Sequence, residues 1–253
     1  MISMASSLSA QWDYYEALWQ GRPGTVVLNM DMGQYAPIED MPFLVEVRFA
    51  LDSCDVSGYG LQEDIDNVEH YAAQVDSVLS TLSYADLVGS FHHECSMREF
   101  FYIGDSSRVL KTIDRLDIPT ILSCKIIHDP EWKGYLNFLY PDAYLQQTMV
   151  NAKTVKMLAA SGDDVTKPRR ITHYAGFTAE ADRQRYRLFL IEQGFKIRSQ
   201  DYDLTRMLPY AIVFSRRDQA ATDWISPITL RLSDQAIEWN GAYEGWESEI
   251  QSQ

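Results

Sequence analysis

Arg169-Arg170-Ile171-Thr172-His173-Tyr174-Ala175-Gly176-Phe177, the run from Thr178 to Gln193 (Thr-Ala-Glu-Ala-Asp-Arg-Gln-Arg-Tyr-Arg-Leu-Phe-Leu-Ile-Glu-Gln), and Gly194-Phe195-Lys196-Ile197-Arg198 decide how this chain folds. In the first piece Ile171, His173 and Ala175 point one way and Arg170, Thr172 and Tyr174 the other, the period of a half-buried strand. Thr178 is placed to cap a helix, Glu180 and Asp182 suit the positive end of its dipole, and Tyr186, Phe189 and Leu190 share one helical face. Gly194 supplies the left-handed residue that ends it. The order is strand, helix, strand.

Downstream, a polar turn at Asp201 to Thr205 precedes a strand from Pro209 to Phe214. Ser226-Pro227 reads as a helix start, since proline loses nothing at the first helical position. Ile228, Leu232, Ala236 and Trp239 face inward, Gly241 stops the helix, and Ala242 to Ile250 forms a last strand. Upstream, a helix from Gln146 to Ala160, ended by Gly162, leads in through the basic Lys167-Pro168-Arg169-Arg170.

The first half opens with an aromatic segment, Trp12 to Trp19, and a turn at Gly21 to Gly24. Strands are expected at Thr25 to Met30 and, beyond a loop marked by Pro37 and Pro42, at Phe43 to Leu51. Leu61, Ile65, Val68, Ala72, Val75, Leu79 and Leu82 then recur at three and four residues, the clearest helix in the chain. A hairpin of Asp86 to His93 and Arg98 to Gly104 follows. Ser106 or Ser107 caps a helix with Val109, Leu110 and Ile113 inside, and Pro119 to Ile127 returns as a strand.

From Phe43 onward, and again from Arg169, the order is therefore strand, helix, strand, strand, helix, strand. With right-handed crossovers it folds as an antiparallel sheet with both helices on one face. The expected class is α+β: two ferredoxin-like sandwiches with antiparallel sheets, joined by a bridging helix. Residues 10–141 form an acidic domain and residues 146–253 the other.

With 46% hydrophobic and 23% charged residues among 253, the chain can bury real cores and is not a disordered polymer. No apolar run approaches the ~20 residues of a membrane span. Met1 to Ser7 lack the basic start and apolar core of a secretory signal. Cys54, Cys95 and Cys124 are odd in number and lack paired spacing, which points to a reducing cytoplasm. The net charge of −14 is all in the first half: residues 1–145 hold 8 Lys and Arg against 22 Asp and Glu, whereas residues 146–253 hold 14 of each. Such a field repels nucleic-acid backbones, attracts basic partners and keeps the chain soluble.

The second half resembles the regulator of ribonuclease E activity B family, the ribonuclease E inhibitor proteins. The resemblance rests on His173-Tyr174, Phe177, Gly194-Phe195 and the ending Gly241-Ala242-Tyr243-Glu244-Gly245-Trp246-Glu247. The first half resembles a bacterial family known only as a domain of unknown function, through Trp12 to Tyr15, Ala36-Pro37, Gly60-Leu61, Asp129-Pro130-Glu131-Trp132 and Tyr140-Pro141. The resemblance implies a non-enzymatic protein that binds ribonuclease E and restrains RNA decay. It also has departures: the second half has no net charge, and Arg183, Arg185 and Arg187 crowd its helix.

Candidate reactive groups are few. His92-His93-Glu94-Cys95 is the one cluster with metal-ligand chemistry; adjacent strand residues diverge, so only His93 and Cys95 share a face, and without a second ligand pair an ordinary hairpin is expected. His173 is in phase with Ile171 and reads as a buried neutral histidine with one hydrogen-bond partner, because no nucleophile accompanies it. Asp129 and Glu131 beside Trp132 suggest sugar chemistry on paper, but after Pro130 they read as a capped turn whose tryptophan packs the domain edge. No phosphate-binding or nucleophile-elbow motif occurs. No catalytic residue, metal or cofactor is therefore assigned.

The remaining candidate is a surface. Arg170, Tyr174, Tyr243 and Glu247 are expected on the uncovered face of the second sheet as partner-binding residues. Direct RNA binding is disfavoured, because the third strand places Pro209 and Ala211 where stacking rings belong. The expected function is that of a cytoplasmic bacterial adaptor or inhibitor acting on a protein such as ribonuclease E, with no membrane role. Two other readings stand beside it: an enzyme, metal-assisted or binding a small molecule in a cleft between domains, and an acidic inhibitor of a basic toxin or nuclease.

Overall fold

The structure is a computed structural model that describes residues 11–251 apart from Ser57 and Ser83. The leader expectation for Met1 to Ser7 lies outside the described residues. The chain divides into two compact units, Met1–Pro141 and Asp142–Gln253.

The first unit is built on β1 (Trp12–Trp19), β2 (Arg22–Asn29), β3 (Phe43–Ala50), β4 (Ala85–His93), β5 (Ser96–Ile103) and β6 (Ile121–His128). They form one sheet in the order β1-β2-β4-β5-β3-β6, with every neighbouring pair antiparallel. The aromatic opening is thus an edge strand. Its turn is Gln20-Gly21, both at positive φ (52° and 80°), the two-residue geometry that matches strand twist. Pro23 and Gly24 consequently lie inside β2, not in the turn expected there.

Helix α1 (Gln62–Leu82) buries Val68, Ala72, Val75 and Leu79 in a cluster with Val45, Val47, Phe49 and Phe101. Helix α2 (Val109–Asp114) is only a turn and a half long, so Val109 and Ile113 enter this core while Leu110 stays 48% exposed. Its N-cap is Arg108, without a side-chain cap, in place of the serines expected. Alternate residues Leu44, Phe100 and Tyr102 face the other way, where Trp132 stacks on Tyr102 with centroids 3.9 Å apart. Cys54 and Cys95, 41 residues apart, form a disulfide that ties the loop before α1 to the β4–β5 turn. This corrects the expectation of unpaired thiols: chain separation hid a pair that folding brings together.

The second unit comprises α3 (Ala143–Ala160), β7 (Arg169–Phe177), α4 (Glu180–Glu192), β8 (Lys196–Tyr202), β9 (Tyr210–Asp218), α5 (Thr222–Glu238) and β10 (Gly241–Ser248). Its antiparallel sheet has the order β10-β7-β9-β8. Phe177, Tyr186, Leu190, Ile212, Phe214, Leu232 and Ala236 make the core between sheet and helices. Gly194, at φ 80°, ends α4 as expected. Thr178 does not cap that helix; its hydroxyl donates to the Asn240 carbonyl. Helix α5 starts a turn before Ser226, so Pro227 sits inside it. Asn240 takes the left-handed residue after α5 (φ 50°), and Gly241 opens β10 because a Cβ there would lie 2.3 Å from the Phe177 ring.

Two buried polar groupings fix this unit. Asn151 on α3 donates to Thr229 (2.7 Å) and Ser226 (3.2 Å) of α5, while its carbonyl accepts from Trp246 Nε1 of β10 (2.9 Å) and from Gln147. Every polar valence of the amide is met. Beyond Gly162, Asp163 accepts from both the Arg169 guanidinium (2.5 Å) and the Gln251 backbone amide (2.9 Å). Arg169 also donates to the carbonyls of Asp164 and Lys167. This cluster joins the end of α3, the start of β7 and the segment after β10.

The Asp163 and Arg169 side chains are 0% and 2% exposed, so removing one leaves an uncompensated buried charge, a loss of about 3–5 kcal/mol. Asp163→Ala is expected to lower the stability of the full chain in urea by that much, and Glu131→Ala, which cuts a solvent-exposed pair with Lys133, to leave it unchanged.

Glu99 on β5 is 7% exposed, and burial together with Asp76 and Glu69 pushes its carboxyl up to about 8 from 4.5. The unfolded chain releases this proton near 4.5 while the folded chain holds it, so stability is full below that pH and falls as pH rises through about 8. Thermal melts of Glu99→Gln are expected to lack this decline and to exceed the parent's melting temperature at pH 8 by several degrees.

Candidate functional site

The helices of the second unit cover one face of its sheet and leave the other bare. On β7 the bare face carries Arg170, Thr172 and Tyr174, in register with Arg217, Ser215 and Val213 of β9. The Tyr174 hydroxyl donates to Glu247 on β10, and Arg170 reaches Glu249 at 3.3 Å. The hydrogen bond to Glu247 raises the Tyr174 pKa, with smaller contributions from burial and the carboxylate charge. Arg170, Tyr174 and Glu247 thus lie where the alternation of the sequence puts them.

Tyr243 does not. A bulge between Tyr243 and Gly245, with Gly245 at φ 121°, inserts one extra residue into β10. Tyr243 pairs with Ala175 and Trp246 with His173, so both face the helices. Tyr243 packs against the core, and its hydroxyl meets His173 Nδ1 at 2.8 Å. The displaced Glu244 accepts two hydrogen bonds from Arg206 (2.7 and 2.8 Å).

His173 is the buried neutral histidine expected: fully inaccessible, stacked on Phe214 and edge-on to Phe195, with Tyr243 its single partner. Burial lowers its pKa to about 3. A general base in solvent contact is excluded by this enclosure.

The other candidate groups are dispersed. Cys95 is in the disulfide, His93 Nε2 lies 3.2 Å from the Trp19 carbonyl, and burial lowers the His92 pKa. Among the described residues no three His, Cys, Asp or Glu side chains converge as metal ligands. Asp129 accepts from the Tyr102 hydroxyl (2.6 Å) and the amides of Lys133 and Gly134. Burial would raise its pKa, but these hydrogen bonds hold it below the ordinary value. Glu131 is exposed and paired with Lys133 at 2.6 Å. The pair is a capped turn, as expected, but Trp132 is wholly buried at the centre of its packing and not at an edge.

One group on the bare face went unnoticed in the sequence. Lys196 of β8 lies opposite Ser215, whose hydroxyl accepts from Arg198 Nε at 2.7 Å; with Arg170 and Arg217 they line a shallow cavity of about 360 Å³. The signal was the alternation of Ser215 and Arg217 along β9, legible only once β9 is paired with β7.

These features define a two-unit α+β protein that presents an uncovered sheet face and, among the described residues, gathers no reactive centre. Residues 10–140 match the Family of unknown function (DUF695), to which the chain belongs, and residues 148–248 match the family Regulator of ribonuclease activity B, whose domain it carries. No curated protein matches the chain.

Because the His173 pKa is depressed from 6.5 to about 3, its contribution to stability is present above pH 6.5 and is lost as pH falls toward about 3. His173→Phe, which keeps a ring beside Phe214, is expected to show a shallower loss of stability across that interval in denaturant titrations at stepped pH.

Proposed function

We propose that this chain is a non-enzymatic regulator that binds ribonuclease E through its second unit and so slows RNA decay. The observation that carries the reading is the match of residues 148–248 to Regulator of ribonuclease activity B. The bare sheet face gives the contact surface, with Arg170, Tyr174 and Glu247 meeting the partner and Tyr243 supporting β10 from beneath. In this reading each unit is a ferredoxin-like sandwich. The strand orders β6-β3-β5-β4 and β10-β7-β9-β8 support it, each being the order in which a βαββαβ chain places its fourth, first, third and second strands.

The bacterial cytoplasm is the proposed setting. None of the described helices is long and apolar enough to cross a membrane. The Cys54–Cys95 disulfide fits this setting least, since cytoplasmic reductants keep thiols reduced. Direct nucleic-acid binding is not part of the reading, because the buried Ala211 of β9 stands where a stacking ring would serve.

The immobilised 253-residue chain is expected to retain purified ribonuclease E at low and physiological salt, and to slow its cleavage of a structured RNA. Tyr174→Ala, which removes an aromatic contact without touching the core, is expected to weaken retention about tenfold. Failure of the unaltered protein to retain the enzyme in either salt would end this reading.

A further inference from the structure

The bare face is divided by charge. At one corner four cations converge from three adjacent strands: Arg170 of β7, Arg217 directly opposite it on β9, and Lys196 and Arg198 of β8. Like charges directly opposite on a sheet repel. Compensation within the unit is slight. Arg170 has only Glu249, itself 81% exposed, and among the described residues Lys196, Arg198 and Arg217 have no carboxylate partner. Arg216, the next arginine along β9, points to the helix side and is neutralised by Asp218 at 2.8 Å. The corner therefore has an electrostatic demand that the unit does not meet itself.

We propose that this corner receives an acidic stretch of a protein partner. The inference rests on the protein-binding reading above and adds the chemistry of what docks. Arginine forks pair carboxylates bidentately, and the Ser215 hydroxyl already fixes the guanidinium of Arg198 by its Nε, leaving the outer nitrogens to bind. The rest of the face argues against a nucleic-acid strand. Glu247 of β10 and Glu249 just beyond it repel a uniformly charged phosphate chain continuing past Arg170, whereas a polypeptide can change sign from one residue to the next. Thr172 and Ser215, the pair between the basic corner and the Tyr174–Val213 row, offer no ring for a base.

The test titrates the full 253-residue chain against fluorescein-labelled oligoglutamate and, separately, labelled single-stranded RNA, reading anisotropy at low and physiological salt. The Arg170→Glu/Arg217→Glu and Lys196→Glu/Arg198→Glu variants are measured alongside, with Arg170→Lys/Arg217→Lys as a charge-preserving control and circular dichroism to verify folding. The expected result is salt-sensitive oligoglutamate binding that each reversal weakens at least about tenfold and that the lysine variant, which keeps the charge but not the bidentate fork, weakens less than either reversal. Absence of oligoglutamate binding at low salt, equal binding by the folded reversal variants, or tighter binding of RNA than of oligoglutamate overturns the inference. Retention of ribonuclease E by the reversal variants as by the parent also overturns it while leaving the partner assignment intact. Oligoglutamate binding lost on reversal, in a protein that does not retain ribonuclease E, sinks the partner assignment and leaves this inference standing.

Discussion

The second unit depends on the sealed contact between Arg169 and Asp163. Desolvating two charges is costly, and the cost is met here because nearly every donor and acceptor of the pair is used: Arg169 also serves two loop carbonyls and Asp163 a backbone amide from beyond β10. The end of α3, the start of β7 six residues later and the distant segment after β10 are held at one point. That fixes where β7 begins, and β7 is the strand that pairs with both β10 and β9 and so sets the register of the whole face. Asn151 plays the matching part on the helix side, fastening α3 to α5 and to Trp246.

Much of this was legible in the sequence, and where reading failed the reason is physical. α1 and β7 showed themselves through period alone, because each buries a single stripe or face along most of its length. β1 did not, since aromatic residues line both of its sides: Tyr15 packs inward while Trp12 and Tyr14 remain exposed. Pro227 suggested a helix start, yet α5 tolerates it in the interior and begins at Thr222. The Cys54–Cys95 pair is set by tertiary placement, for which spacing along the chain holds no signal.

The candidate surface was read in the same way and with the same kind of gap. Arg170, Tyr174 and Glu247 followed from alternation. The basic corner did not, because its members come from three strands whose pairing has to be known before their side chains can be assigned to one face. In the proposed function the arrangement of charge over the exposed sheet makes the contact, and beneath it the buried His173 and Tyr243 hydrogen-bond to each other. The groups that looked chemically reactive in isolation, His173, Asp129 and Cys95, are each consumed by structural bonds.

The single extra residue in β10 has an effect on how that strand can vary. Before it, the odd-numbered positions Gly241 and Tyr243 are turned to the helices; after it, the even-numbered Trp246 and Ser248 are. Substitution tolerance along one short strand therefore changes parity halfway, so a mutational scan interpreted with a uniform two-residue rhythm would assign half of β10 to the wrong side.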